Sequence, residues 1–507
     1  PCLICVVSLG RGRRETTQMR QGTDLTSGPI YATLLAFALP TLGSSVLQSA
    51  NGSIDAVWVG RLLGENALAA TTNGNLIMFL LTAFVFGFGM ASTILIGQAV
   101  GRRDIAAARE VVGTAVGTFA PLAILISVAG WFLAPQVLAL LGTGPEITPL
   151  ARDFLRVTFF AMPAILLQTM LMMALRGTGD AVTPLIFMGL AVILDVVLNP
   201  VFILGMGPAP RMGIGGSAFA MAVANYVSLI AMVGYLYLRR NPLRLAGPDL
   251  RLLIPAPPVL RLMLSKGLPM GLQMVVVSSA MLTMISLVNR EGVDTTAAFG
   301  ATQQLWTYVQ MPAMALGAAV SAMAAQNIGA GRWDRVSQIT RAGIVFNFLL
   351  TGGLVLVLLV ADRAALGLFL GAESPAIAIG QHIGRLATWG FVAFGVSMVL
   401  FGTIRANGQV LWPLIILTVS LYPVRLGVAL GLRDRLGVDA LWLSFPAAMV
   451  ATMLMATVLY LHGGWRKLHV MADLDGHTAE AASVTTEAGP PTSPRNPAPV
   501  SYTHLTL

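Results

Sequence analysis

Arg176-Gly177-Thr178-Gly179-Asp180, with Pro184 after it, and Arg405-Ala406-Asn407-Gly408-Gln409, with Pro413 after it, share one pattern. Each is a polar, glycine-bearing break between apolar runs, and the two stand 229 residues apart. The same displacement lays Leu39-Pro40 on Leu268-Pro269 and Arg156 on Arg385. A displacement of 228 lays Gln98 and Gly101 on Gln326 and Gly329. Repeated coincidence of Arg, Gly, Gln and Pro inside apolar sequence marks an internal repeat. The chain is two related halves.

Composition decides the solvent of those halves. Of the 507 residues, 56% are hydrophobic and only 10% charged, and the mean hydropathy is +0.78. Soluble domains carry about 25% charged residues. A chain this apolar cannot cover a water-facing surface, so it belongs in lipid. A membrane-spanning helix needs about 20 residues. Runs of that length recur at 30–59, 67–99, 107–133, 151–175, 182–205, 215–238, 261–288, 297–327, 337–360, 378–403, 410–432 and 440–461. The expected fold is all-α and integral to the membrane, with twelve transmembrane helices in two six-helix lobes. An even number of helices per half inserts both halves in the same orientation, which makes this a parallel repeat about an axis along the membrane normal.

The expected organisation is an N-terminal cytoplasmic segment over 1–28, an N-lobe over 29–240, a cytoplasmic linker over 241–260, a C-lobe over 261–465 and a disordered tail over 466–507. The tail is rich in Ala, Thr, Pro, Ser and Glu, a composition that cannot form a core. Met19 is the expected start of translation, and residues 501–507 carry no reading. The net charge of +9 reflects topology rather than nucleic-acid binding, because no basic stripe is interleaved with aromatics. Arg102, Arg103, Arg109, Arg176, Arg239, Arg240, Arg332, Arg335, Arg405, Arg466 and Lys467 fall on one side, and the opposite loops are poorer in basic residues and carry more acids. The positive-inside rule makes that side, and both termini, cytoplasmic. The two cysteines, Cys2 and Cys5, leave the apolar body without any disulfide or cysteine-based metal site, and the five histidines have no metal-ligand spacing.

Several segments, in order, resemble one family. They are Leu39-Pro40, Gln48, Ile54-Asp55-Ala56-Val57-Trp58-Val59-Gly60, Leu68-Ala69-Ala70, Gly97-Gln98-Ala99-Val100-Gly101, Leu175 through Asp180, Leu194-Asp195-Val196-Val197-Leu198-Asn199-Pro200, and Gly213 through Ala218. Together they resemble the MATE family, the multidrug and toxic compound extrusion transporters, over roughly residues 29–465. The resemblance implies a two-lobe fold and export of organic cations or other amphipathic drugs in exchange for H⁺ or Na⁺. It also implies membrane lipid as a partner and no cofactor; the chain length and lean loops suggest a bacterial inner membrane as location. The short loops suggest a monomer.

Ionisable groups inside a membrane are costly and are functional candidates by default. Two acids lie well inside the spans, Asp55 and Asp195, both in the N-lobe; the acids of the C-lobe sit in or beside loops. Desolvation penalises a carboxylate anion, so a buried Asp can hold a proton and release it when water arrives. Alternatively, a carboxylate among neutral oxygens can hold Na⁺. Asp195 and Asn199 are four residues apart and share a helix face. Pro200 donates no hydrogen bond to the Val196 carbonyl, leaving a further acceptor. Asp55, Asp195 and Asn199 are therefore the candidate coupling-ion site. Asp55 alternatively caps its helix or pairs with Arg61.

Against the family pattern, Asp and Asn are exchanged along the fifth helix, and Met221 stands where the family has Thr. The acid of the seventh helix found in NorM-type members has no match in Gln273 through Ser278. The preference for H⁺ over Na⁺ rests on two N-lobe aspartates without a C-lobe acid. Gln48, Asn73, Gln303, Gln304 and Trp306 are candidate lining of a substrate cavity, or else hydrogen-bond between helices. Pro40, Pro200 and Pro269 are expected kink sites. The competing functions are a lipid-linked flippase and a polytopic membrane enzyme. No P-loop supports ATP drive, no reactive constellation supports an enzyme, and few deep basic residues support a flippase.

Overall fold

The computed structural model describes residues 24–140, 147–207, 210–371 and 373–467, and among these no strand occurs. The N-lobe holds α1 (Ile30–Leu63), α2 (Glu65–Gly101), α3 (Ile105–Leu140), α4 (Thr148–Gly177), α5 (Val182–Leu204) and α6 (Ile214–Leu238). The C-lobe holds α7 (Pro257–Val288), α8 (Val293–Gly329), α9 (Trp333–Val360), α10 (Asp362–Leu370), α11 (Ala376–Ala387), α12 (Gly390–Ala406), α13 (Leu411–Val419), α14 (Arg425–Gly431), α15 (Arg433–Leu436) and α16 (Asp439–His462). Eleven of the described helices or helix runs are long and apolar enough to cross a membrane. The pair α11 and α12, bent by 46°, brings the number to as many as twelve. Helices are what apolar sequence must form in lipid, because each satisfies its own backbone hydrogen bonds.

α5 shows why lipid is the outer solvent. Val182, Ile186, Ile193, Val197 and Leu204 are exposed, whereas Asp195 and Asn199 are buried with Val192, Phe187 and Ile203. The helix turns its greasy face outward and its polar face inward, the reverse of a soluble amphipathic helix.

The expected spans hold, with differences at their ends. α3 runs on to Leu140, and α7 begins at Pro257, inside the stretch read as linker. The rest of that linker is not free. Residues Gly247–Leu253 form a 3-10 turn laid against α3, where a side chain on Gly117 would meet the Leu253 carbonyl at 1.8 Å. Arg109 pins the same stretch, donating from Nε to the Pro242 carbonyl at 2.7 Å and pairing with Asp249 at 3.1 Å. Arg466 and Lys467, assigned to the tail, belong to a short 3-10 turn, Gly464–Lys467, anchored by buried Trp465. Residues 1–23 and 468–507 lie outside the described residues. The eleventh span is continuous but not uniform: five residues, Ser420–Val424, form a π-helical turn between α13 and α14.

Among the described residues, the contacts between the lobes gather toward one end. Leu34, Phe37 and Ala38 of α1 share a cluster with Leu316, Ala319, Val320 and Met323 of α8. α2 crosses α7 backbone to backbone, so that a Cβ on Gly87 would lie 2.4 Å from the Gly271 nitrogen. These residues fall in the halves of the helices nearest the basic loops. At the other end α1 exposes Gln48, Gly52, Ser53, Ala56 and Val57.

Candidate functional site

α1 and α5 run side by side in the same direction and in register. Asn51 faces Asp195, and Asp55 faces Asn199, each pair 144 residues apart in sequence. Asn51 Nδ2 donates to Asp195 Oδ2 at 2.8 Å, and Asn199 Nδ2 donates to Asp55 Oδ1 at 2.7 Å. Asn51 Nδ2 also lies 3.4 Å from Asp55 Oδ2, one turn along its own helix. Asn51 Nδ2 thus lies between the two carboxyl groups. The result is a square with an acid and an amide on each helix, and each acid faces the other helix's amide.

Burial makes the square consequential. Asp195 is 2% exposed and Asn199 fully buried. Three of its oxygens, Asn51 Oδ1, Asp195 Oδ1 and Asn199 Oδ1, are buried without a hydrogen-bond donor. A buried acceptor lacking a donor costs free energy comparable to a lost hydrogen bond, about 1–3 kcal/mol. A proton or a hard cation is what such a cluster lacks. Pro200 adds the Val196 carbonyl, which has no helical donor. A cleft of about 360 Å³ lined by Ser53, Ile54, Val57, Trp58, Arg61 and Val196 lies beside the square. Among the described residues no three His, Cys, Asp or Glu side chains gather as a metal site.

The sequence reading brought Asp55, Asp195 and Asn199 together, and the structure does so as well. It missed Asn51, although the signal was there: Asn51 and Asp55 are spaced four apart, as Asp195 and Asn199 are. Asp55 pairs with Asn199 rather than with Arg61.

The candidate cavity residues scatter. Gln48 is exposed on α1, and Gln303 and Gln304 are half-buried on α8. Trp306 is in the C-lobe core, against the expectation that it lines a cavity. It is 3% exposed, it packs against Phe299, Phe391 and Phe445, and its Nε1 donates to Thr388 Oγ1 at 2.9 Å. Its neighbours outcompete a cavity because an indole buries a large ring and needs only one acceptor. The side chain of Asn73 lies outside the described residues. Pro40, Pro200 and Pro269 all lie inside continuous helices.

The repeat has a second product at the seam between the lobes. Gln98 of α2 donates to the Ala406 carbonyl at 2.6 Å, and Gln326 of α8 donates to the Gly177 carbonyl at 2.9 Å. A Cβ on Gly101 would meet the Gln326 carbonyl oxygen at 2.0 Å, and one on Gly329 would meet the Gln98 carbonyl oxygen at 2.1 Å. Each lobe thus reaches into the polar break of the other, and the contact is reciprocal.

The MatE family model matches the chain twice, over residues 40–201 and again over 269–430, in the register of the sequence repeat. The chain belongs to the MATE family. Among its curated MATE relatives is the probable multidrug resistance protein YoeA of Bacillus subtilis (strain 168), 34% identical over 459 residues, covering 90% of this chain and 99% of that one. YpnP of the same organism, also a probable multidrug resistance protein, is 30% identical over 453 residues, covering 89% and 99%. A MATE transporter solved in an outward-facing conformation superposes with a TM-score of 0.79 at 21% identity, covering 90% of this chain and all of that one, which establishes the shared fold. A multi-pass MATE protein with two fused lobes is therefore the frame for the square and the seam.

Proposed function

We propose that the chain is a proton-coupled antiporter that exports amphipathic organic cations, with Asp55 and Asp195 as the coupling pair. The observation that carries this reading is the square of two acids and two amides, buried on α5 and half-buried on α1, with three oxygens that lack a donor. Two carboxyl groups held around one amide donor in a desolvated site resist double ionisation, so the pair holds one proton and shares it. Protonation supplies the missing donor. Loss of the proton leaves a charge that draws water or a cationic substrate towards α1 and α5. Na⁺ could fill the same oxygens; two acids held around one amide donor favour H⁺. Names of curated relatives as multidrug resistance proteins support the export of drugs.

The seam supplies the alternation. With lobes joined near the basic loops and parted at the other end, the conformation is open away from the cytoplasm, and both termini are cytoplasmic. Breaking the reciprocal glutamine contacts opens the opposite side.

The test is efflux of a fluorescent cationic dye from proteoliposomes, with ΔpH and ΔNa⁺ imposed separately, for wild type and Asp195→Asn. Transport driven by ΔpH and abolished in the variant is the expected result. Drive by ΔNa⁺ alone overturns the choice of ion, and full efflux by Asp195→Asn overturns the site.

A further inference from the structure

The C-lobe buries a lone cation. Arg425 opens α14 directly after the π-helical turn, about 9 Å by helical rise from the end of its span at Gly431. It is 7% exposed, and its Nε is buried with no hydrogen-bond partner. Its guanidinium lies 3.7 Å over the ring of Phe445, and among the described residues it makes no hydrogen bond or ion pair. Three acids of the lobe are engaged elsewhere. Glu291 pairs with Arg433, Asp439 with His382, and Asp362 with Gln381 and, at 4.0 Å, Arg385.

An unpaired cation inside a membrane protein is costly and is kept for a partner. Stacking uses the face of the guanidinium and leaves its N–H donors, which radiate in the plane, free for a bidentate acceptor. Phe445 is held rigidly by the buried aromatic core of Phe299, Trp306, Phe391 and Trp442, which fixes the guanidinium stacked on it. On the turn before Arg425, Ser420 is also fully buried with its Oγ unpartnered. A π-helical turn adds a residue per turn and re-aims the side chains beyond it, which is why such turns recur at functional sites.

We propose that Arg425 is the centre of an anion-recognising subsite in the C-lobe, taking the carboxylate, phosphate or sulfonate group of an amphiphile. The inference goes beyond the export of cations proposed above. It rests on that reading only for the use of the site in transport, not for binding. The anionic group can come from a soluble substrate or from a lipid headgroup.

The test is equilibrium binding, without any gradient, of naphthalene-2-sulfonate and its trimethylammonium counterpart to the full chain in nanodiscs of phosphatidylcholine. Wild type is expected to bind the sulfonate more tightly than the ammonium. Equal or weaker binding overturns the proposal, however any variant behaves. Arg425→Gln is expected to lower sulfonate affinity roughly tenfold or more, with Arg425→Lys in between and the ammonium changed by less than about twofold. Unchanged sulfonate binding in Arg425→Gln overturns it. Anionic lipid that competes with the sulfonate in wild type, but loses this effect in Arg425→Gln, assigns the site to a lipid headgroup. Indifference to anionic lipid, with the same loss of affinity, assigns it to a soluble anion. Sulfonate bound at Arg425 without proton-driven dye efflux sinks the coupling reading and leaves this one standing; efflux without sulfonate binding does the reverse.

Discussion

The two lobes share a fold and differ in what they bury. In the repeat register, Asn51, Asp55, Asp195 and Asn199 of the N-lobe correspond to Ala280, Met284, Val424 and Val428 of the C-lobe. Ala280 and Met284 are almost fully buried, and the C-lobe interior beyond them is a wall of aromatic rings. Arg425, beside the position that answers to Asp195, is a charge buried there without an ion-pair partner among the described residues. Duplication delivered one scaffold twice, and the site chemistry diverged: acidic and oxygen-rich in one lobe, aromatic and cationic in the other. The polar breaks at Gly177 and Ala406 diverged less, because both still receive a glutamine from the opposite lobe.

The contrast can be broken most severely at Asp195. Asp195→Asn leaves three amides and one acid, removes the shared proton, and is expected to bring gradient-driven dye efflux to background while membrane insertion and thermal stability stay near wild type. The mirror substitution Val424→Ala in the C-lobe is expected to leave efflux within about twofold, because it removes a branched apolar side chain outside the square.

Next in size is the seam. Gly101→Val and Gly329→Val each force a side chain into a carbonyl oxygen of the other lobe. Each is expected to spread the ends of α2 and α8 nearest the basic loops, read as a longer spin-label distance across the lobes, with transport reduced roughly tenfold or more. Because the contact is reciprocal, the two variants should shift the distance by similar amounts; a response from one lobe alone would end the symmetry argument.

A gentler break is Gln98→Ala or Gln326→Ala. Each deletes one hydrogen bond worth about 1 kcal/mol, a shift of about fivefold in the population of the closed seam. Gln326→Ala is expected to exceed Gln98→Ala, since Gln326 Oε1 also accepts from the backbone N–H of Leu25 at 3.2 Å. The smallest effect is expected for Trp306→Phe. It keeps a ring in the C-lobe wall and loses the bond to Thr388, costing about 1 kcal/mol in detergent unfolding and leaving efflux unchanged.

The architecture was legible because lipid imposes few solutions on apolar sequence. Spans, their number and the repeat could be read from run length and from the recurrence of Arg176 and Arg405, of Pro40 and Pro269. Asp55 and Asp195 stood out as acids in apolar helices. The pairing across α1 and α5 was not legible, because side-by-side helices carry no record of their register, and so Asn51 was passed over. Arg425 was hidden for another reason: close to the end of a span, an arginine reads as an anchor at the interface, and only packing reveals that it points inward. Trp306 misled in the opposite way, since an aromatic in a polar stretch of helix looks like a binding surface until its neighbours are known. The linker and the turn at Trp465 were underestimated because proline and glycine in loops mark turns without saying what the turns lie against.

The residues before α1 carry a consequence for how the protein is made. Leu25 is fully buried, its N–H bonded to Gln326 and its carbonyl to Asn327, while Thr26 and Gly28 offer their carbonyls to Arg332 and Arg335. The partners of these early residues lie some 300 positions downstream. A ribosome releases the front of the N-lobe long before the end of α8 exists, so this stretch leaves the exit tunnel with its backbone unpaired and must wait. The N-lobe can assemble in the bilayer as it is synthesised, but its leading edge is fastened only by the second half. Completion of the chain is thereby written into the finished fold, and a truncated product stopping before residue 326 would display its own incompleteness at its N-terminal end.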